Sequence, residues 1–324
     1  MKMNMVQALN QAMAQEMARD PDVVILGEDV AVDGGVFRVT DNLLQEFGPK
    51  RVIDTPLAEA GIVGAAIGMA VYGLRPVAEI QFMGFVYEGY HQIVDHAARL
   101  RNRTRGRFPV PLVVRMPYGA GVRALEHHSE STEALFCHIP GLVVAAPSSP
   151  KDAKGLLISA IRSDDPVIFL EPKRLYRAGK QEVPEEAEAI PLGKARTVRE
   201  GEDLTIIVWG AMVPVAQQAA EEVEKQGIFP EILDLRTLSP FDEQAILESV
   251  TRTGRALVVH EAPQNCGLGA EISSRIMEKA LLHLEAPVQR VTGPDITVPL
   301  AKNEDLYYPS PKRVQYAINK LMEW

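Results

Sequence analysis

VVILGED, residues 23–29, decides how this chain should be read. Four β-branched or aliphatic residues in a row leave no polar side for solvent, so the run fits a strand covered on both faces. Parallel strands with helices above and below are buried that way. Glycine then ends the strand, and two carboxylates follow. The same form recurs outward along the chain in RVIDTP (51–56), PVAEIQF (76–82), PLVVRMP (111–117), LVVAAP (142–147) and VIFLEP (167–172). Helical patterns fall between some of them, at 59–72, 86–101 and 150–162. The last opens on Ser149-Pro150, a good N-cap and first-turn pair.

The alternation stops over QEVPEEAEAIPLGKARTVREGED (181–203), which is charged and holds two prolines, as domain linkers are. It resumes with LTIIVWG (204–210), a helix near 213–226, PEILDLRTL (230–238), RALVVHEA (255–262), VQRVTGPD (288–295) and a closing helix at 310–322. The expected fold class is α/β: two domains with mostly parallel sheets, residues 1–185 and 203–324, joined by a linker at 186–202. At 324 residues the chain exceeds what one hydrophobic core usually holds, which agrees with two.

Composition excludes several roles. A net charge of −9 argues against a nucleic-acid backbone as partner. The longest apolar runs fall far short of the ~20 residues of a membrane span. The first twenty residues mix acids into a helical pattern, so a cytoplasmic protein with no signal segment is expected. Cys137 and Cys266 stand 129 positions apart, and no histidine spacing suits a transition metal.

Ligands of open parallel sheets bind beyond the carboxyl ends of the strands. Glu28 follows the first strand, Glu59 the second, and Gln81, Phe82 and Phe85 the third. The loop PYGAGVRALEHHSES (117–131) follows the fourth. Glu28 alone could cap a turn, Glu59 could be an acid at a helix N-terminus, and Phe85 could be core. His127-His128-Ser129 in a glycine-rich loop points to proton transfer. No GxGxxG, GxxxxGK[ST] or GxSxG occurs, so this cleft has a carboxylate, aromatics and a histidine but nothing to hold phosphate.

TPLAEAGIVGAAIGMA (55–70) adds a further feature: Gly61, Gly64 and Gly68 weaken an apolar helix by roughly 1 kcal/mol each, about 3 kcal/mol together. Close approach of a second helix would account for them.

With VILGEDVAVDGGVFRVT (24–40), RVIDTPLAEAGIVGAAIGMA (51–70), AEIQFMGFVYEGY (78–90), EHHSES (126–131), the long stretch 147–177, DLRTLSPFD (234–242) and HEAP (260–263) in order, the chain resembles a known family along essentially its whole length. That family is the beta subunit of the thiamine-diphosphate-dependent decarboxylating component of 2-oxo acid dehydrogenase complexes, pyruvate and branched-chain types alike. EPKRLYRA and HEAP lean to branched-chain relatives and QFMGFVYE to pyruvate ones, so the 2-oxo acid stays open.

The resemblance implies a pyrimidine-binding domain followed by a transketolase-like C-terminal domain. The diphosphate and its magnesium would be held by an alpha subunit in an α2β2 tetramer. Glu59 would hydrogen-bond pyrimidine N1′ and so favour the imino form of the 4′-amino group that takes the thiazolium C2 proton. Phe85 would stack on the pyrimidine, with Glu28, Leu57, Ala58 and Gln81 lining the same half of the cofactor. Phe82, Met83 and Gly84 would face the substrate, and His128 would carry protons during decarboxylation and acyl transfer to lipoamide. Glu59, Gly64 and Gly68 fit the family's spacing, although Ala65 is small where the pattern is bulky and Met69 replaces a frequent glutamine. A potassium site is implied at Leu112, Val113, Ala160, Ser163 and Asp165, a stretch that could equally be a plain helix-to-strand turn. The C-terminal domain would dock the subunit-binding domain of a lipoyl-bearing acyltransferase, for which Glu323, Trp324 and the terminal carboxylate are candidates. Two other readings compete: a non-catalytic small-ligand-binding α/β module, and half of a split transketolase-like enzyme.

Overall fold

The computed structural model describes all 324 residues. A seven-stranded sheet runs in the order Thr237–Ser239, Val143–Ala145, Val167–Pro172, Val113–Tyr118, Arg75–Glu79, Val23–Gly27, Val52–Asp54. All its pairings are parallel except that of Thr237–Ser239, which lies antiparallel on Val143–Ala145. A second sheet of five runs Gln289–Gly293, Ala256–Pro263, Leu204–Val208, Pro230–Asp234, Arg196–Arg199. Only Arg196–Arg199 is antiparallel there. The apolar strand runs found by pattern are those strands, and most are buried along their whole length, as two-sided cover requires.

Two strands cross the boundaries expected from composition. Arg196–Arg199 lies inside the charged 186–202 segment, yet it forms the edge of the second sheet. An edge strand faces solvent on one side, so its two arginines cost little and mask the strand. Thr237–Ser239 belongs by sequence to the second half but completes the first sheet. One hydrophobic cluster accordingly runs from Val144, Ile168 and Leu170 through Trp209 and Leu235 to Val258 and Ile272.

The helix Glu59–Tyr72 starts at its acid and ends on Gly73 in the left-handed region (φ 111°). It buries Ile62, Val63, Ala66, Ile67 and Ala70, but not its whole circumference. Gly61, Ala65 and Gly68 lie on its exposed side. A Cβ on Gly68 would meet nothing, and one on Gly64 would meet only the Gln92 side chain at 3.6 Å. Within this chain only the π-helical turn at Gln92 comes near Gly64, and the Gly61–Gly68 side is left open. The segment 86–101, expected as one helix, is a 3-10 turn (Met83–Glu88), a π-helical turn (Gln92–Ala97) and an α-helix (Ala98–Arg103). Between the first two lies Gly89, packed so closely that a Cβ would come 3.0 Å from the Glu59 carbonyl oxygen. No helix is long and apolar enough to cross a membrane.

Candidate active site

Because the strands of the first domain are parallel, the residues after Gly27, Asp54, Glu79, Tyr118 and Pro172 emerge at one edge of the sheet. Glu28 and Glu59 come together there. Both are buried, and the Glu28 carboxyl is held above the usual carboxylate range by burial first, then by the charges of Glu59 and Asp29. Gln81 donates Nε2–H to Asp29 Oδ2 at 3.1 Å, tying the third strand end to the first. The Glu59 side chain sits at the positive end of its helix, whose first turn has no side-chain cap. Its oxygens accept no side-chain or backbone donor of the chain, which leaves them free for the donor of a bound molecule.

Aromatic rings converge beside it. Phe82 and Phe85 meet edge-to-face with centroids 5.5 Å apart, and His128 touches both, at 4.5 and 5.2 Å. His127 lies 5.7 Å from Phe85 and 4.7 Å from His128. The two segments fit backbone to backbone: a Cβ at Gly84 would collide with the His127 carbonyl. His128 Nδ1 is buried without a partner in the chain. Burial, then His127 and Lys173, lower the His128 pKa, so the imidazole is neutral and able to accept a proton near neutrality.

Not every expected residue lies at this edge. Met83 is buried in the core, where its sulfur accepts the Thr132 N–H at 3.4 Å, so its side chain does not face the cleft. Leu57 and Ala58, by contrast, directly precede Glu59 at this edge and are exposed, Leu57 at 79%, open to a bound molecule. The potassium residues are drawn into internal contacts. Leu112 carbonyl accepts from Val167 N–H, and Val113 is in the sheet ladder. Arg75 donates to the carbonyls of Ile161 and Ser163, the Ala160 carbonyl accepts from Ser163 N–H, and Asp165 pairs with Arg101.

Two features escaped the sequence reading. Arg115 is buried between Glu79 and Glu171, donating Nε and Nη2 to Glu171 at 2.7 and 2.6 Å and Nη1 to Glu79, while Tyr176 donates its hydroxyl to Glu171 at 2.5 Å. The signal was present: the runs PVAEIQF, PLVVRMP and VIFLEP each carry a single charge, and the one on the middle strand is positive. The second is Lys173, buried directly after VIFLEP with its ammonium 5.3 Å from the Phe82 ring centroid.

Residues 1–179 match the family of the transketolase pyrimidine-binding domain, and residues 193–314 that of the transketolase C-terminal domain. The pyruvate dehydrogenase E1 component subunit beta of Acholeplasma laidlawii is 55% identical over 317 residues, 98% of this chain and 97% of its own. That of Bacillus subtilis strain 168 is 50% identical over 323 residues, 100% of this chain and 99% of its own. The chain belongs to this beta-subunit family. Solved structures agree on the fold: an inactive β4 tetramer of a split-gene transketolase superposes with a TM-score of 0.82 at 22% identity, covering 99% of this chain and 98% of its own. A transketolase mutant from Pichia stipitis gives 0.73 at 16%, with 99% of this chain on 46% of that one.

This family is oxidoreductase in activity, acting on 2-oxo acids with thiamine diphosphate, and the relatives favour that role over a ligand-binding module or a split transketolase. The donors and acceptors here suit the pyrimidine half of that cofactor. They offer a buried carboxylate, an aromatic face and a neutral histidine, with no cluster of cations for a diphosphate.

Proposed function

We propose that this chain activates thiamine diphosphate for oxidative decarboxylation of pyruvate and passes the acyl group to lipoyl carriers, working with an alpha subunit. The observation that carries the reading is Glu59, a buried carboxylate without an internal donor, beside Glu28 and the Phe82–Phe85–His128 cluster. Pyruvate, rather than a branched-chain acid, is favoured because the relatives above carry it in their names.

When bound, the cofactor supplies the electron sink that decarboxylation requires. Glu59 holds a proton at pyrimidine N1′, in a setting where low polarity strengthens the bond. Phe85 gives the ring a face to lie on, and Glu28 and Gln81 border the same space. Phe82 and Phe85 keep water from the reacting carbon, and His128 accepts and returns protons during acyl transfer. An alpha subunit would hold the diphosphate and its magnesium, consistent with the absence of a phosphate loop here. The chain is placed in the cytoplasm on this reading.

Docking of a lipoyl-bearing acyltransferase is assigned to a shallow groove on the second domain, about 640 Å³, lined by Met277, Leu281, Leu284, Glu285, Val288 and Trp324. Leu282, at 96% exposure, and Trp324, at 71%, stand beside or in it. An apolar floor rimmed by Glu285 and the chain terminus suits a small basic domain.

The test is reconstitution with the alpha subunit, comparing pyruvate with 2-oxoisovalerate, and Glu59→Gln against the parent chain. Glu59→Gln should assemble but lose deuterium exchange at thiazolium C2. Normal exchange in that variant overturns the assignment of Glu59, and a higher kcat/KM for 2-oxoisovalerate overturns that of pyruvate.

A further inference from the structure

The loop that carries His128 is held at both ends by residues outside it. At its near end the Glu304 carboxylate, from the second domain, accepts the Gly121 N–H at 2.7 Å and the Arg123 N–H at 3.4 Å. Glu304 is fully buried, and its other oxygen has no partner in the chain. Asp305 adds an exposed pair to Arg123 at 2.6 Å. At the far end Lys173 donates from Nζ to the His128 carbonyl, while its charge lies over the Phe82 ring. Lys173 is 4% exposed. A lysine so deeply buried is expensive unless it is paired, and its counter-charges, Glu261 and Glu304, both come from the second domain. Glu261 lies directly beneath the loop, where a Cβ at Gly119 would meet its Oε1 at 2.5 Å.

We propose that Lys173 and Glu304 are positioning residues for His128, the first fixing its main chain and the neighbouring Phe82 ring, the second anchoring the loop's start to the C-terminal domain. The inference rests on the reading of His128 as proton carrier. It makes the second domain, which has no reacting group of its own, part of what sets the geometry of acyl transfer. Lys173 has a second effect. Burial lowers the proton affinity of His128 most, and the charged groups that act on it are His127 on its own loop, Lys173 from the adjoining strand end and, in the opposite sense, Glu126. Lys173, whose own pKa burial lowers to about 8, is still charged on the acid side where the imidazole takes up its proton, and there it resists that protonation.

The experiment uses the assembled alpha–beta enzyme with K173M, K173R, E304A and H128Q, each assayed for deuterium exchange at C2 and for reductive acylation of a lipoyl domain. K173M and E304A should lower acylation about tenfold or more, because each leaves a buried donor or acceptor unmade, while exchange changes by less than about twofold. K173M should also move the acid limb of the acylation pH profile upward, because His128 then takes a proton more readily. E304A should leave the limb in place, and K173R, which keeps the charge, should restore it. Should K173M not assemble, K173Q carries the same two expectations. Normal acylation in K173M and E304A with loss in H128Q overturns the inference. Normal acylation in H128Q overturns the reading on which it rests.

Discussion

Arg115→Met should damage this chain more than the loss of most single side chains. Arg115 is 1% exposed and the carboxylates it serves are buried, Glu79 at 3% and Glu171 at 0%. The triad carries two negative charges and one positive, so removing Arg115 leaves two buried acids and no counterion. Tyr176 can still donate to Glu171, but three guanidinium contacts disappear. Breaking a buried ion pair by deleting one partner costs about 3–5 kcal/mol. Against a typical total of about 5–15 kcal/mol, that is about a fifth of the stability or more. With a slope near 3 kcal/mol per molar urea, the midpoint should fall by about 1–1.7 M. Equilibrium urea unfolding followed by tryptophan fluorescence reads it. Adding Glu79→Gln and Glu171→Gln to the variant should remove much of the deficit, because no buried acid is then left without its counterion. A loss below about 1 kcal/mol, or one that the two glutamines do not relieve, refutes the argument that the triad is an electrostatic unit.

Three further outcomes are expected. Gly84→Ala should reduce turnover by about a hundredfold while leaving the unfolding midpoint of the second domain unchanged, since the new methyl strikes the His127 carbonyl and pushes the aromatic pair off the histidine loop; steady-state kinetics and urea unfolding check it. His260 is buried, stacked on Trp209 at 5.2 Å, and burial lowers its pKa to about 4. Its folded-state value lies below the unfolded one, so stability falls as pH drops from about 6.5 toward 4, by about 3 kcal/mol in full, and His260→Phe should flatten that dependence in unfolding measured across pH. Removing residues 322–324 should weaken acyltransferase binding, measured calorimetrically at two salt concentrations, but leave decarboxylation with an artificial electron acceptor intact, because Leu321, the last fully buried residue, is kept.

Most of the scaffold was legible because its strands are buried on both faces, which forces them to be written in unbroken apolar residues. Ser149-Pro150 marked its helix start for an equally local reason, and Ser149 does accept from Asp152 N–H. Glu59, Phe85 and His128 could be singled out because each follows a strand at the sheet edge where ligands bind. What stayed hidden was non-local. Whether Met83 turns inward depends on Thr132, 49 residues away, and the role of Lys173 depends on a carbonyl 45 residues earlier and acids in the other domain. Arg75, which takes up the carbonyls at 161 and 163, is 86 and 88 residues distant from them. The irregular 83–97 stretch follows from the close passage of Gly89 against the Glu59 carbonyl, a constraint that periodicity does not express.

Thr237–Ser239 has a consequence for how the chain can be cut. It covers the outer edge of Val143–Ala145 from the far side of the sequence boundary. A fragment ending anywhere between the two halves would bare that edge, with its row of unpaired N–H and C=O groups, and would recruit other chains as readily as its own missing strand. The first domain made alone should therefore self-associate or precipitate, and cutting the polypeptide after residue 239 would keep the first sheet complete at the expense of the second.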